Sequence, residues 1–364
     1  MSLLTVNVGS SSVRLGSYDE HDRLVAEQHL EGQEEADAAA LLQQFAQHPK
    51  VQPIEAVCHR VVHGGERFTA ACRIDAQVEQ ALVQLSELAP LHNPPALAWI
   101  RAARELLPQA PQVAVFDTAF FAALPPVARA YALPAPLVQR YRLRRYGFHG
   151  LAHRYLWQRW EHMRPPGAGG RVITLQLGSG CSAAAIRDGS PLDTSMGLSP
   201  LEGLVMATRS GDVDPGLLLY LQRQQGWDAA ELEQCLSQRS GLLGVSGESA
   251  DARVLLASAS AAAALALELF CYRVRKYIGA YLAVLGGADA ILFGGGIGEH
   301  LPVLRARILQ GLEWAGVVLD AARNEAAGGD DEMRIAAAHS RVDVRVVPVD
   351  ESAILVSEAR AVLK

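Results

Sequence analysis

Apolar residues follow two rhythms along this chain, and the elements they predict alternate. Leu3 to Asn7 is a short apolar run suited to a buried strand, Gly9-Ser10-Ser11-Ser12 breaks it, and Val13 to Tyr18 resumes as an alternating strand. Far along, Val172 to Leu177, Gly178 to Ser182 and Ala183 to Ile186 repeat that order of apolar strand, small-residue turn and second strand. Two copies, one at the head of each half, point to an internal duplication. Between them, Ala36 to Gln47 and Gln77 to Ala89 have helical spacing, and Ala56 to Val62 reads as a strand entering a turn at Gly64-Gly65. Pro94 and Pro95 suit the first turn of a helix whose body is Ala96 to Leu107, and Val113 to Phe116 is a short buried strand ending at Asp117. In the second half, Ala252 to Leu285 is predicted as one Ala-rich helix stopped by Gly286-Gly287, apolar nearly all round, with Phe270, Tyr272, Tyr277 and Tyr281 as packing residues. Ala290 to Phe293 then runs into Gly294-Gly295-Gly296-Ile297-Gly298-Glu299, Val342 to Pro348 forms a last strand, and Ser352 to Leu363 a terminal amphipathic helix. Strands alternating with helices in this way define an α/β protein.

A length of 364 residues suits two domains of roughly 150 residues each. Pro165 to Gly170 is the clearest linker, but the boundary is placed nearer Gly150, giving a first domain of residues 1–150 plus about 350–364 and a second of 151–349. The formal net charge of −6, with 20% charged residues, excludes a general attraction to nucleic acid or to an anionic membrane, so an anionic substrate would need a local basic site. Five scattered cysteines without CxxC spacing argue against a disulfide framework or a zinc site. The start of the chain lacks a basic stretch followed by an apolar run, and the most apolar later run, Ala261 to Phe270, is short and contains Glu268. A soluble, cytoplasmic protein is expected.

The candidate chemistry gathers where neither rhythm holds. Asp193 to Pro215 packs Thr194, Ser195, Ser199, Arg209, Asp193, Asp212 and Asp214 among the breakers Gly197, Pro200, Gly203, Gly211 and Pro215. It is too rich in Leu, Val and Met for disorder, and long irregular segments of compact chains tend to be functional. The alternative is a surface connection in which Arg209 pairs with Asp212 or Asp214. The two Gly-Ser turns could present successive backbone N–H groups to phosphate oxygens, and the turn at Gly294 to Glu299 opens a helix, where the dipole favours an anion. Arg60 within an apolar strand needs an anionic partner. Asp117 at the carboxyl end of a strand lies where α/β folds bind ligands, although it could equally cap a helix. His149, between an aromatic residue and a glycine in Tyr146-Gly147-Phe148-His149-Gly150, is the histidine to single out, while His59 and His63 read as ordinary half-buried residues. The run Arg140, Arg142, Arg144, Arg145 reads as a solvated face. Phosphate-suited turns with arginines and strand-end acids fit phosphoryl transfer, which is mostly placement and charge neutralisation.

With Asn7 to Arg14, His59 to Gly65, Leu91-His92-Asn93-Pro94, Phe116 to Phe120, Tyr146 to Gly150, Asp193 to Pro215, Gly296 to Glu299 and Asp350-Glu351 in this order, the sequence resembles the acetate kinases along nearly its whole length. That family lies in the acetate and sugar kinase/heat-shock ATPase/actin superfamily. The resemblance implies a duplicated ribonuclease H-like (actin/hexokinase-like ATPase) fold of two domains with a central cleft, dimerised through the second domain, which would also bind the nucleotide. It implies a reversible, Mg²⁺-dependent transfer from ATP to acetate, giving acetyl phosphate and ADP. Carried over, Arg60 and Arg209 are similar to the pair that hold the carboxylate and the phosphoryl group, Asp117 to the essential carboxylate, and His149 to the histidine on the phosphoryl oxygens. Val62, Leu91, Phe148 and Pro200 resemble the acyl pocket and His92 a second active-site histidine. Asn7 and Glu351 match the magnesium site. The implied nucleotide contacts are Ser10, Ser11, Ser12 and Arg14; Gln176, Leu177, Gly178, Ser179 and Gly180; Asp251, Ala252 and Arg253; and Gly296, Ile297, Gly298, Glu299 and His300.

The chain departs from that pattern chiefly on the nucleotide side. Gln176 and Ser179 stand where the family carries histidine and asparagine, Phe121 replaces a histidine, His300 an asparagine and Arg14 a lysine. The acid-side residues are intact, with propionate or another short acid still open as substrate, and the changes leave open another donor, such as GTP or pyrophosphate. A catalytically weak, ligand-binding regulatory homologue is the reading from outside the enzymes.

Overall fold

The structure is a computed structural model and describes residues 1–9, 12–31, 37–51 and 53–364. The chain forms two compact units, Met1–Ala122 with Asp350–Lys364, and Ala123–Val349. The first unit ends at Ala122 rather than near Gly150, because the segment after Ala122 makes its contacts within the second unit; Tyr146, for example, donates its backbone N–H to Gly197 at 3.0 Å.

The first unit is built on one six-stranded sheet. Its strands are β1 (Leu3–Val8), β2 (Ser12–Tyr18), β3 (Leu24–Glu31), β4 (Ala56–Val61), β5 (Cys72–Arg73) and β6 (Gln112–Phe116). Their order is β3-β2-β1-β4-β6-β5, with β1-β2-β3 an antiparallel meander, β4 parallel to β1, and β6 parallel to β4. Strands β1, β4 and β6 are covered on both faces, which is why they read as continuous apolar runs rather than alternating ones. Leu42, Phe45 and Trp99 pack with Leu4, Val6 and Val57, while Val78, Leu82, Leu97 and Ile100 pack with Val61 and Phe116. Helix Asn93–Leu106 begins with its two prolines in the first turn, as expected, and helices Ala38–Ala46 and Ala76–Leu85 open on Asp37 and Asp75, whose carboxylates accept from their first free N–H groups. Ala36, Ser10 and Ser11 lie outside the described residues.

The second unit repeats the plan. Its strands β7 (Arg171–Leu177), β8 (Cys181–Arg187), β9 (Ser190–Thr194), β10 (Ala290–Gly294), β11 (Met333–Arg334) and β12 (Asp343–Val346) lie in the order β11-β12-β10-β7-β8-β9. Again a meander leads, β7-β8-β9, and two parallel strands follow on the other side of its first strand, β10 beside β7 and β12 beside β10. Each sheet closes with a two-residue antiparallel strand at its far edge. The duplication inferred from two similar hairpins therefore extends through the whole strand order.

The long helix expected over 252–285 is broken. Helix Ala252–Ala257 stops, and a second one, Ala261–Leu285, starts from Ser260, whose hydroxyl accepts from the Ala263 N–H. Ser258 and Ser260 also donate their hydroxyls to Glu248, so the polar side chains draw the backbone out of the helix at the one place where the alanine run offers them. The second helix is apolar on its outer side as well, where Leu265, Tyr272 and Val284 are exposed, so Tyr272 is not a packing residue within the unit, whereas Phe270, Val274, Ile278 and Tyr281 are buried. No helix among the described residues is long and apolar enough to cross a membrane.

Candidate active site

In the first unit the polar cluster forms where β1, β4 and β6 end. Arg60, from β4, reaches Asp117, the residue after β6, with Nη2 2.5 Å from Oδ2 and Nε 3.2 Å from both carboxylate oxygens. Its Nη1 donates to the Asn7 Oδ1 and the Val8 carbonyl, each at 3.2 Å, and the Asn7 amide donates to Glu351 at 2.9 Å. Glu351 opens the terminal helix Glu351–Leu363 and stands 3.9 Å from the Arg60 Nε. Arg60 thus has the anionic partner that its place in an apolar strand demanded. Burial alone would lower the Arg60 pKa, but Asp117 and Glu351 outweigh it and hold the guanidinium firmly charged. Burial pushes the Asp117 carboxyl up, and Arg60 opposes that push. Asp117 caps no α-helix; the residues after it form a single 3₁₀ turn, Ala119–Ala123.

The turn after β4 is held by two side chains that the sequence pattern did not mark. Asn93 accepts from the His63 N–H and donates to its carbonyl, both at 3.1 Å, and Thr118 accepts from the Gly64 N–H at 2.9 Å. Gly64 must be a glycine, since a Cβ there would stand 2.6 Å from the Phe68 carbonyl oxygen. His59 and His63 are not half-buried but fully buried, and burial lowers their pKa values to about 3 and about 4. Of the expected acyl-pocket residues in this unit, Val62 is buried, Leu91 is exposed, and His92 stands just before the helix that carries Asn93. Arg14 is the cross-strand neighbour of Asn7 and is exposed, its guanidinium 3.5 Å from Glu27 of β3.

In the second unit Arg209 is placed by its backbone. Gly241, at φ +64°, lets the chain pass so close to Met206 and Arg209 that a Cβ would fall 2.2 Å from the Met206 carbonyl oxygen. Ser240, Leu242 and Leu243 donate to the carbonyls of Thr208, Met206 and Ala207. Asp212 is not the partner of Arg209: it accepts from the Gly203 N–H and the Tyr277 hydroxyl and pairs with Arg273. Asp214 instead caps helix Pro215–Gln225. Arg209 is left half-buried, with its Nη1 donating to the Pro200 carbonyl at 3.3 Å and no carboxylate partner among the described residues. Burial lowers its pKa. A guanidinium desolvated without a counter-charge is a site that favours an anion.

Beside it stands His149. Its backbone is left-handed, φ +57°, a conformation that costs a non-glycine residue of order 1 kcal/mol or more and is typical of functional sites. Its imidazole meets Ser182 of β8, Nδ1 to Oγ at 2.9 Å. Gly180, at the tip of the β7-β8 hairpin, has its Cα turned to both groups: a Cβ there would sit 3.3 Å from the His149 Nε2 and 3.7 Å from the Arg209 Nη1. The hairpin tip itself is tied by Gly178 N–H to Gly180 carbonyl, 3.1 Å, and Ala207 N–H to Ser179 carbonyl, 3.1 Å. Leu177 is core, Ser179 is exposed, and the buried Gln176 Oε1 has no hydrogen-bond partner among the described residues. Phe148 is buried, and Pro200 is joined to Arg209 through its carbonyl.

The glycine-rich turn after β10 opens a helix, Gly295–His300, as expected, but its N–H groups are partly spent. Glu299 curls back to accept from the Gly295 and Val349 N–H groups at 2.7 and 3.1 Å. Gly296 remains open, with nothing within 4 Å of a Cβ position, and His300 reaches the Gly328 carbonyl. Asp251 and Arg253 pair with each other at 2.6 Å on an exposed helix start, and Ala252 packs inward.

One expectation fails outright. The arginine run is not a uniform solvated face: Arg140 and Arg142 are exposed, but Arg145 turns inward to Glu202, at 2.5 Å, and to the carbonyls of Thr194, Ser195 and Met196. Three carbonyls at and just past the end of β9 need donors, and a guanidinium four residues from His149 supplies them.

Two α/β units with the same strand order, one holding a carboxylate-clamped arginine at its strand ends and the other an uncompensated arginine beside a histidine and a bare hairpin tip, define a phosphotransferase of the duplicated ribonuclease H-like kind seen in actin and hexokinase. A family model described as the acetokinase family matches residues 19–357. The chain belongs to that family. The acetate kinase of Phocaeicola vulgatus is 46% identical over 314 residues, covering 85% of this chain and 78% of that protein. That of Solibacter usitatus is 48% identical over 308 residues, covering 83% and 74%. Among solved structures, the Porphyromonas gingivalis acetate kinase superposes with a TM-score of 0.90 at 37% identity over 100% of both chains, and a propionate kinase from Francisella tularensis with 0.89 at 33% over 98% of each.

Proposed function

We propose that this protein is an acetate kinase, transferring the terminal phosphoryl group of ATP to acetate and returning it in the reverse direction. The observation that carries the reading is Arg209, a half-buried cation with no carboxylate partner among the described residues, next to the imidazole of His149 and the bare Gly180. In this reading an acetate oxygen attacks the phosphorus in line, the bond to the bridging oxygen of ADP breaks, and no covalent enzyme intermediate forms. Arg209 and His149 hold oxygens of the transferring group. Arg60, fixed in direction by Asp117 and Asn7, offers its remaining face to an anion, and Val62, Leu91, His92, Phe148 and Pro200 serve the acid.

Magnesium fits the first unit by its donor set. Asp117, Glu351 and Asn7 present hard oxygens, and two carboxylates against one guanidinium leave an excess negative charge. These residues would hold the ion, whose chemistry is to neutralise phosphate oxygens. For the nucleotide we assign Ser10, Ser11, Ser12 and Arg14, the hairpin 176–180, Asp251 to Arg253 and the turn 296–300; Glu299 acts there through the backbone that it braces. The second unit would be the nucleotide-binding and dimerisation domain, and the exposed Leu265, Tyr272 and Val284 of its long helix support a homodimer. Five cysteines, all free thiols, suit a cytoplasmic enzyme.

The test is Mg²⁺-dependent hydroxamate formation in the presence of hydroxylamine, with acetate, propionate and butyrate against ATP, GTP and pyrophosphate. Turnover with acetate and ATP is expected. Preference for propionate would follow the Francisella neighbour, and turnover only with another donor would trace to Gln176 and Ser179. Silence across the grid would overturn the kinase reading in favour of a ligand-binding homologue.

A further inference from the structure

Behind His149 runs a row of buried hydrogen bonds that nothing in the sequence marked. His149 Nδ1 meets Ser182 Oγ at 2.9 Å, Ser182 Oγ meets His153 Nε2 at 2.7 Å, and His153 Nδ1 meets Thr174 Oγ1 at 2.7 Å. Thr174 and Ser182 face each other's strands from β7 and β8, and His153 lies one helical turn after His149 on helix Gly150–Met163. Ser182, His153 and Thr174 are all fully buried. Burial keeps the His153 ring uncharged, so it carries one N–H and one bare nitrogen.

We infer that this row fixes the tautomer of His149, holding its one ring proton on Nε2, the nitrogen beside Gly180. The argument is one of satisfying every hydrogen. Two directions are open. In one, Thr174 O–H donates to His153 Nδ1, His153 Nε2–H to Ser182 Oγ, and Ser182 O–H to His149 Nδ1. In the other, each bond is reversed, and the Thr174 hydroxyl hydrogen must find a different acceptor. Thr174 is wholly buried, and among the described residues its hydroxyl has no partner besides His153. Stranding a buried donor is costly, so the first direction holds. His149 then stands with Nδ1 accepting from Ser182 and its ring proton on Nε2, 3.3 Å from where a Gly180 Cβ would be. A neutral imidazole thereby offers a proton to an anionic oxygen without having to be charged. Ser182, His153 and Thr174 are positioning residues; they act through His149 and touch no substrate.

The proton arrangement stands on the structure alone, while its use rests on the kinase reading, and the two fail separately. Long-range ¹H–¹⁵N spectra of the ligand-free protein, with ¹⁵N-labelled histidine and the His149 signals assigned by His149→Asn, are expected to show both His149 and His153 protonated on Nε2. A proton on Nδ1 of either ring overturns the inference with no variant needed. Ser182→Ala is expected to shift the His149 Nδ1 resonance and to lower kcat about tenfold, the scale for loss of a partner that orients a functional group, with KM for acetate within about twofold. Thr174→Val should disturb the His153 resonances and lower kcat, and Thr174→Ser should restore both. An unchanged kcat in Ser182→Ala alongside a shifted His149 resonance would overturn the positioning role. If the unmodified protein has no turnover but both rings carry Nε2 protons, the proton arrangement is supported and the kinase reading is what falls.

Discussion

Gly180→Ala separates the fold from the chemistry at the smallest scale the chain allows. The added methyl group would meet His149 Cε1 at 3.2 Å and Nε2 at 3.3 Å, and the Arg209 Nη1 at 3.7 Å. The first two contacts are a few tenths of an ångström too close, the third is ordinary. No backbone atom is among them, and Gly180 is not in the left-handed region that only glycine favours. The imidazole can yield that much by a small rotation about its bond to the backbone, at a cost of about 1 kcal/mol, the scale for a ~30° departure from a rotamer. Against this, replacing glycine with alanine at a compatible position removes unfolded-chain entropy worth about 0.4–1 kcal/mol. The two effects nearly cancel, so urea unfolding should find the variant within about 1 kcal/mol of the parent. Activity should behave differently. The methyl occupies the space that His149 and Arg209 share and turns the Nε2–H off its line. Misplacement of about 1 Å at a reacting group costs roughly a hundredfold in rate, so a shift of a few tenths with the methyl group beside it should lower hydroxamate formation by about an order of magnitude with the fold intact. Full activity in a folded Gly180→Ala would refute the placement of the phosphoryl group beside these two side chains.

His149→Asn should keep or slightly raise stability, because asparagine accepts the left-handed backbone more readily than histidine, while kcat falls by about a hundredfold or more; a clear loss of stability would show that the ring, not the chemistry, is what the conformation serves. Arg209→Gln should leave thermal unfolding within a few degrees of the parent, since no ion pair is broken and a desolvated charge is removed, yet abolish measurable turnover; retained turnover would sink the role of Arg209. Stability should fall on mild acidification. His59 and His63 are neutral in the fold, with pKa values lowered to about 3 and about 4, whereas unfolded histidine titrates near 6.5. Below pH ~6.5 the unfolded chain therefore binds protons that the fold refuses, and each site weakens the fold by about 1.4 kcal/mol per pH unit until its own folded pKa is reached. Urea midpoints at pH 7, 6 and 5 should drop accordingly, with little change between pH 7 and 8; a midpoint flat from pH 7 to 5 would contradict their burial as neutral rings.

Much of the fold could be read from apolar periodicity because the covered strands leave no other pattern. The strand ends of β1, β4, β6, β7 and β10 fell within a residue or two of their expected places, and the two small-residue turns showed the duplication. The candidate site was legible where a residue was odd in its setting: Arg60 in an apolar strand, Asp117 at a strand end, His149 between an aromatic and a glycine. What escaped were residues ordinary in type and setting. Ser182, Thr174 and His153 sit in regular elements, and only tertiary pairing puts their polar atoms in line. Arg145 was misjudged because a run of arginines says nothing about which of them faces unpaired carbonyls. The broken helix was missed because helical spacing counts apolar positions, whereas the break at Ser258 and Ser260 is decided by hydroxyls competing for Glu248.

The duplicated register shows how one plan came to hold two chemistries. Asn7 is the penultimate residue paired in the β1-β2 hairpin, and Gln176 holds that place in β7-β8. Along the neighbouring parallel strand, the residue opposite Gln176 is Gly294, and continuing the β1-β4 register by one puts Arg60 opposite Asn7. Where the first unit has a guanidinium, the second has a hydrogen atom, and any larger side chain would strike the Val349 Cγ2 at 2.5 Å and the Gln176 Oε1 at 3.3 Å. The same step along the third strand sets Val349 against Asp117, since Val115 pairs with Arg60 and Val347 follows the Phe293–Val346 pair. The first unit thus places side-chain charge at its strand ends, two acids around one arginine. The second strips the same positions to glycine and valine and leaves the backbone turn open at Gly296, with its positive charge brought in from the irregular segment at Arg209. An arginine placed at 294 would therefore not recreate the first unit's clamp: valine stands where the first unit has Asp117 and there is no room for the side chain, and the expected outcome of Gly294→Arg is loss of folding rather than gain of a second anion site.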